Sequence, residues 1–257
     1  MAELDGMLAL VAGATRQHGP ACAAALRRAG ARLALVDGEG ESTGSLNLDC
    51  AESYTSRTAD GSIEATLDQI EQRQGRVDVL VTCPGPATVV ASVALRAEDL
   101  ERALIANQMR SFLWCRAVGR RMIAAGRGAI VNVTGLSGMG GWPGWLAQSM
   151  AFGAVHNLTH TLATEWTRYG VRVNCLVPGI TERDLEDLLK TPEAPDRETV
   201  LRRIPLGRLA TDEDLGKALI YLLQPAASFI SGEILRVDGA WDVWGRYYAV
   251  DPHAGKG

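Results

Sequence analysis

Seven residues near the start of the chain, Gly13-Ala-Thr-Arg-Gln17-His18-Gly19, follow an apolar run and open a segment of helical period. Glycines at such a place let the backbone approach a pyrophosphate, and the helix N-terminus behind them favours negative charge. Asp37 closes the second apolar run. An acid there can bind the hydroxyls of an adenosine ribose and disfavour a 2′-phosphate, or it can be an exposed acid at a strand end. His18, inside the turn, can face a phosphate or an active cleft. Asn107 lies within a long helical stretch, either as a member of a reactive site or as the manager of a local kink. His156 and His160 stand four apart on one helix face, a spacing a metal can use, but no third ligand is evident. Packing or a subunit contact is the better reading, and no metal site is assigned.

These residues need a scaffold, and the apolar pattern supplies one. Strand-length runs at 8–12, 33–37, 77–82, 128–134, 171–177 and 233–237, with another inside 53–59, alternate with helical segments at 20–29, 62–73, 98–125, 147–169 and 212–223. That alternation predicts an α/β fold, a doubly wound parallel sheet of seven strands with helices on both faces. Thr211 followed by Asp212, Glu213 and Asp214 gives the last helix an N-cap and acids in its first turn. The stretch 38–50 reads as a loop, and 191–195 breaks the pattern in a way that suits a mobile segment over a pocket. With no repeat or linker in view, residues 1–257 read as a single domain.

The totals exclude other classes. A net charge of −4 and a pI near 5.6 argue against nucleic-acid binding, whose footprint is basic. Arg27–Arg28 and Arg120–Arg121 read as solvated helix faces. Five cysteines (Cys22, Cys50, Cys83, Cys115, Cys175) without a C-x-x-C pair suit reduced thiols rather than a disulfide or zinc framework. Glu3 and Asp5 do not suit a signal peptide, and no apolar run reaches the roughly 18–20 residues of a membrane span. A soluble, cytoplasmic protein is expected.

Further segments recur in a fixed order: Arg76-Val-Asp-Val-Leu-Val81, Asn107, Gly128-Ala-Ile-Val-Asn-Val133, Arg172-Val-Asn-Cys-Leu-Val-Pro-Gly179, Pro205-Leu-Gly-Arg208 and Gly232-Glu-Ile-Leu-Arg-Val-Asp-Gly239. Together with the glycine turn they resemble the short-chain dehydrogenase/reductase family over about residues 7–240, which implies a Rossmann-like fold. The resemblance further implies a Tyr–Lys pair four residues apart, a Ser thirteen before the Tyr, and an Asn one helix earlier. The Tyr would exchange a proton with the substrate oxygen, the Lys would lower its pKa and hold a ribose, and the Ser would orient the carbonyl.

At those positions the chain carries Gly135, Gln148 and Phe152, and only Asn107 of the four remains. Ser137 and Ser149 lie nearby, yet Tyr is absent from 55–168 and Lys from 1–189. A longer Tyr–Lys spacing, as in the enoyl reductase branch, falls on Trp145 and Phe152. The cofactor turn departs as well, with Gln17 at a glycine position, Thr82-Cys83-Pro84-Gly85 after the fourth strand, and Ser56 or Asp60 where an acid faces adenine. Gly13, Gly19, Asp37 and Gly85 are the cofactor-binding positions that persist. Trp142, Trp145 and Gln148 fall in the segment that lines the family's substrate cleft, and Trp241 and Trp244 lie just past the last strand. These aromatics read as an apolar ligand pocket or a subunit contact, with 241–257 a tail at a subunit interface.

The expectation from this pattern is a catalytically silent subunit in a dimer or tetramer, paired with an active paralogue in a hetero-oligomer. It would bind no cofactor or only weakly NAD(H), with NAD preferred over NADP. The alternatives are a repurposed lyase, isomerase or cyclase acting on an apolar small molecule, and an NAD-dependent oxidoreductase with displaced catalytic residues.

Overall fold

A computed structural model describes residues 3–38, 46, 51–85, 87, 89–189 and 195–244. Most of 38–50, the stretch 191–195 apart from Pro195, and the tail beyond Trp244 lie outside the described residues, so those expectations are not addressed. The strands are β1 (Leu8–Ala12), β2 (Arg32–Asp37), β3 (Ala51–Thr55), β4 (Val79–Thr82), β5 (Gly128–Val133), β6 (Val171–Pro178) and β7 (Ile234–Val237). They form one parallel sheet in the order β3-β2-β1-β4-β5-β6-β7. The helices are α1 (Gly19–Arg28), α2 (Asp60–Gln74), α3 (Ala97–Leu104), α4 (Arg110–Ala125), α5 (Leu146–Trp166), α6 (Glu182–Leu189), α7 (Arg197–Arg202) and α8 (Asp212–Leu223).

The period-two alternation of the strands builds two cores. Ala9, Val11, Leu33, Leu35, Val79 and Val81 meet α1 and α8 on one face. Leu8, Leu10, Ala34, Val36, Leu80 and Ile130 meet α2, α4 and α5 on the other, around the fully buried Trp114. A third cluster, Val177, Ile180, Leu185, Val200 and Ile204 among its members, packs α6 and α7 over the end of β6. Neither short helix is written plainly in the sequence: α6 sets three leucines among acids, and α7 is only six residues long. The expected helix at 98–125 is divided: residues Ile105–Met109 form a π-helical turn between α3 and α4. The third strand begins at Ala51, two residues before the expected window of 53–59, and ends inside it at Thr55; much of it is exposed and its apolar pattern is weak.

Candidate functional site

A cleft opens at the carboxyl ends of the strands, where crossovers to both faces leave a crevice. One wall is the turn between β1 and α1. Gly13 has φ +94°, and a Cβ added there would lie 2.8 Å from the Cys83 carbonyl oxygen. At Gly19 an added Cβ would lie 2.1 Å from the Gly13 carbonyl oxygen, so the turn closes on itself only with glycine. The Gly85 N–H donates to Asn107 Oδ1 at 2.7 Å, and Asn107 Nδ2 donates to the Ala103 carbonyl at 2.8 Å. Asn107 thus sits in the π-helical turn and ties it to the turn after β4. The link fits the reading of Asn107 as the manager of a local kink; its side chain is buried and is not among those lining the cleft.

Asp37 ends β2 with 1% of its surface exposed. Its carboxylate accepts the Thr15 N–H at 3.0 Å and lies 3.8 Å from the guanidinium of Arg110, which is itself buried. The acid is therefore charge-balanced by a cation on α4 that nothing in the sequence pattern had singled out. Of the two positions considered near adenine, Ser56 directly follows β3 and donates its N–H to the Asp37 carbonyl, whereas Asp60 starts α2 and pairs with Arg116.

The opposite wall is built by β5, the segment after it, and α5. Gly135, Gln148 and Phe152 all line the cleft, together with Thr134, Ser137, Trp142 and Trp145. Phe152 explains Gly135: a Cβ on residue 135 would come 3.0 Å from the phenyl ring. Gln148 is buried at the start of α5. Trp142 and Trp145 meet edge to face at 6.3 Å, and Trp241 stacks on Trp142 at 5.7 Å. The residue past the last strand thus extends the aromatic wall, while the Arg203 guanidinium covers the Trp241 ring at 5.3 Å and also donates to the Trp244 carbonyl. His156 lies behind this wall with its Nε2 2.9 Å from Thr134 Oγ1, and burial lowers its pKa. His160 is exposed one turn on, and among the described residues no group of three metal-ligating side chains is found.

The floor joins the turn to α6. His18 is 5% exposed, and its Nε2 lies 3.9 Å from Asp184 Oδ1. Asp184 Oδ2 accepts the Thr181 N–H at 2.8 Å and the Thr181 hydroxyl at 2.7 Å, while its Oδ1 accepts the Gln17 amide. Arg183 donates to the Gln17 carbonyl at 2.6 Å. The Gln17 side chain therefore reaches toward α6. Burial moves the His18 pKa down, which the Asp184 carboxylate opposes and Arg183 reinforces. Four cysteines are buried free thiols among the described residues. Burial and a bond with Cys22 raise the Cys83 pKa, and burial pushes Cys115 and Cys175 up to about 12.

A family described as enoyl-(acyl carrier protein) reductase matches residues 13–241. A galactitol 2-dehydrogenase (L-tagatose-forming) of Cereibacter sphaeroides is 36% identical over 94% of this chain and 97% of its own. A D-threitol dehydrogenase of Mycolicibacterium smegmatis is 32% identical over 93% and 94%. Among solved structures, a gluconate 5-dehydrogenase from Burkholderia cenocepacia in complex with NADP and tartrate superimposes with a TM-score of 0.87 at 28% identity, covering 94% of this chain and 97% of that one.

The expectation of a catalytically silent subunit is corrected by these findings, since the relatives that share nearly the whole chain bear the names of dehydrogenases. The physical reason for the error lies in the cleft. Gly135, Gln148 and Phe152 do line it where a Ser–Tyr–Lys set was expected, but replacement at those positions does not by itself make the chain silent. The expectation of no cofactor, or of weakly held NAD(H), is revised too: the related structure holds NADP. The fold matches expectation, and no helix among the described residues is long and apolar enough to cross a membrane.

Proposed function

The chain belongs to the short-chain dehydrogenase/reductase family, and on that premise we propose that it is a dinucleotide-dependent oxidoreductase interconverting a secondary alcohol and a ketone on a small polyhydroxylated substrate. The observation that carries this reading is the tight turn from Gly13 to Gly19 facing the Trp142–Trp145 wall across one cleft. The turn suits a pyrophosphate: side chains at Gly13 and Gly19 would fill the space or break the turn, and α1 begins directly behind it. Asn107 holds Gly85 at the adjoining edge.

A bound nicotinamide dinucleotide supplies the hydride-exchanging carbon. The chain's own part is to place the substrate. Indole faces suit the C–H faces of a polyol, and Gln148, Ser137 and Thr134 offer hydrogen bonds to its hydroxyls. The relatives' names support a polyol or sugar acid, since galactitol, threitol and gluconate share vicinal hydroxyls. Asp37 is balanced by Arg110, which weakens its repulsion of a 2′-phosphate, so NAD and NADP both belong in the test. Absorbance at the reduced-nicotinamide band, followed with alditols and aldonates plus either oxidised dinucleotide, should rise for at least one pair. Failure of both reduced dinucleotides to bind at millimolar concentration would overturn the reading.

A further inference from the structure

Trp142 and Trp145 line the wall that faces the glycine turn across the cleft, and the segment carrying Trp142 does little to aim its indole. The local sequence is Gly140-Gly141-Trp142-Pro143-Gly144, and a Cβ added at Gly140 or Gly141 would meet nothing within 4 Å. The Val90 N–H donates to the Gly144 carbonyl at 2.9 Å, which fixes the end of the loop but not the direction of the ring. That direction is set by other rings. Trp145 meets Trp142 with its plane 76° away, and Trp241 stacks on it within 20° of parallel. Trp241 itself is not one of the described residues lining the cleft. Resting on the oxidoreductase reading, we propose that Trp241 and Arg203 are positioning residues for the substrate: they hold the Trp142 indole in the plane against which the C–H face of the polyol lies.

The turn after β7 is built to aim Trp241. The Asp238 carboxylate accepts the Ala240 N–H at 3.0 Å and the Asp242 N–H at 2.9 Å, and the Asp238 carbonyl accepts the Trp241 N–H at 3.2 Å. Arg236 closes the same turn with a bond to Asp242 at 2.8 Å. Ala240, directly before the indole, has φ +71° and is the only non-glycine residue with positive φ among the described residues. Such backbone is costly for an L residue and persists where its surroundings over-determine it, often beside a ligand. Arg203, at the end of α7, lies 5.3 Å from the centre of the Trp241 ring, within cation–π range, and donates to the Trp244 carbonyl. One cation thus holds both the ring and the chain three residues beyond it.

A stacking contact of this kind carries none of the charge that shifts during hydride transfer. It is worth about the same in the bound substrate and in the transition state, so it sets KM and leaves kcat little changed. The dinucleotide turn lies on the other wall, and its ligand does not depend on the Trp142 plane.

The test measures kcat, KM and reduced-dinucleotide affinity for Trp241→Leu, Trp241→Phe and Arg203→Met beside the parent, with galactitol, D-threitol and gluconate as probes. Far-UV circular dichroism checks folding, and Arg203→Met, which leaves every ring in place, carries the test if Trp241→Leu does not fold. In Trp241→Leu, KM should rise about 3–10-fold, the scale of one aromatic pair, with dinucleotide affinity kept and kcat changed far less than KM. Trp241→Phe, which keeps a ring, should recover most of that loss. Arg203→Met should raise KM about 2–5-fold. Trp142→Ala should raise KM by itself, and Trp241→Leu added to it should raise KM no further, because the ring through which Trp241 acts is gone. A parental KM in Trp241→Leu or in Arg203→Met overturns that residue's role, and so does a kcat that falls as far as KM rises. Additive effects of Trp142→Ala and Trp241→Leu overturn the route through Trp142. A parent that binds neither dinucleotide, or binds one and oxidises none of the three probes, sinks the oxidoreductase reading instead, and this inference with it.

Discussion

The glycine turn shows how little room the site leaves at single positions. An alanine at Gly19 puts its Cβ against two backbone carbonyls, those of Gly13 and Ala14, neither of which can move aside as a flexible side chain would. Gly19→Ala should lower stability by about 1–3 kcal/mol through overpacking, and weaken reduced-dinucleotide binding more than tenfold. Urea melts and fluorescence titration measure the two effects separately, and a variant that binds as the parent does would exclude this turn from the ligand site. The identities of Gly135, Gln148 and Phe152 could be read from the sequence because a motif fixes their spacing. The partnership of His18 could not. Gln17 and Asp184 are 167 residues apart, and no local pattern reports that a helix after β6 returns to the turn after β1. The same holds for Arg110 beneath Asp37, since the arginine looks like an ordinary surface charge until the topology buries it against the acid.

Elements were legible where their period was strong and obscure where it was weak. β1 and α8 fall at the expected residues, the latter because its start is written in side chains. Thr211 accepts the Asp214 N–H, and the Asp214 carboxylate accepts the Thr211 N–H in return, a capping box. Thr211→Ala should lower the unfolding free energy by about 1 kcal/mol, read from denaturant melts, with no change in turnover because the cap lies outside the cleft lining. A loss several times larger would mean that the cap also holds the Thr181–Ala210 bridge beside α6. The π-helical turn at Ile105–Met109 was hidden for a different reason. Apolar periodicity runs on either side of it, and the extra residue in the turn is recognisable only from the Asn107 link to Gly85.

Across the whole molecule, burial holds two imidazoles below their ordinary value of 6.5, His18 under α6 and His156 behind Thr134. The unfolded chain binds protons there that the folded chain refuses. Their contribution to stability is fully present above pH 6.5 and is lost as pH falls from there through the depressed folded values. Urea midpoints should therefore drop between about pH 7 and 5, above the range where carboxylates near pKa ~4 protonate. A His18→Gln, His156→Gln double variant should flatten that slope, and an undiminished slope would show that other groups govern it. The aromatic wall carries a consequence for synthesis. During synthesis β1 and the glycine turn after it wait for β4, the second neighbour of β1, some seventy residues later. Trp241, stacked on Trp142, emerges after every strand is finished. A nascent chain halted just short of it would already own the sheet and still lack the indole that backs Trp142 in the wall of the cleft.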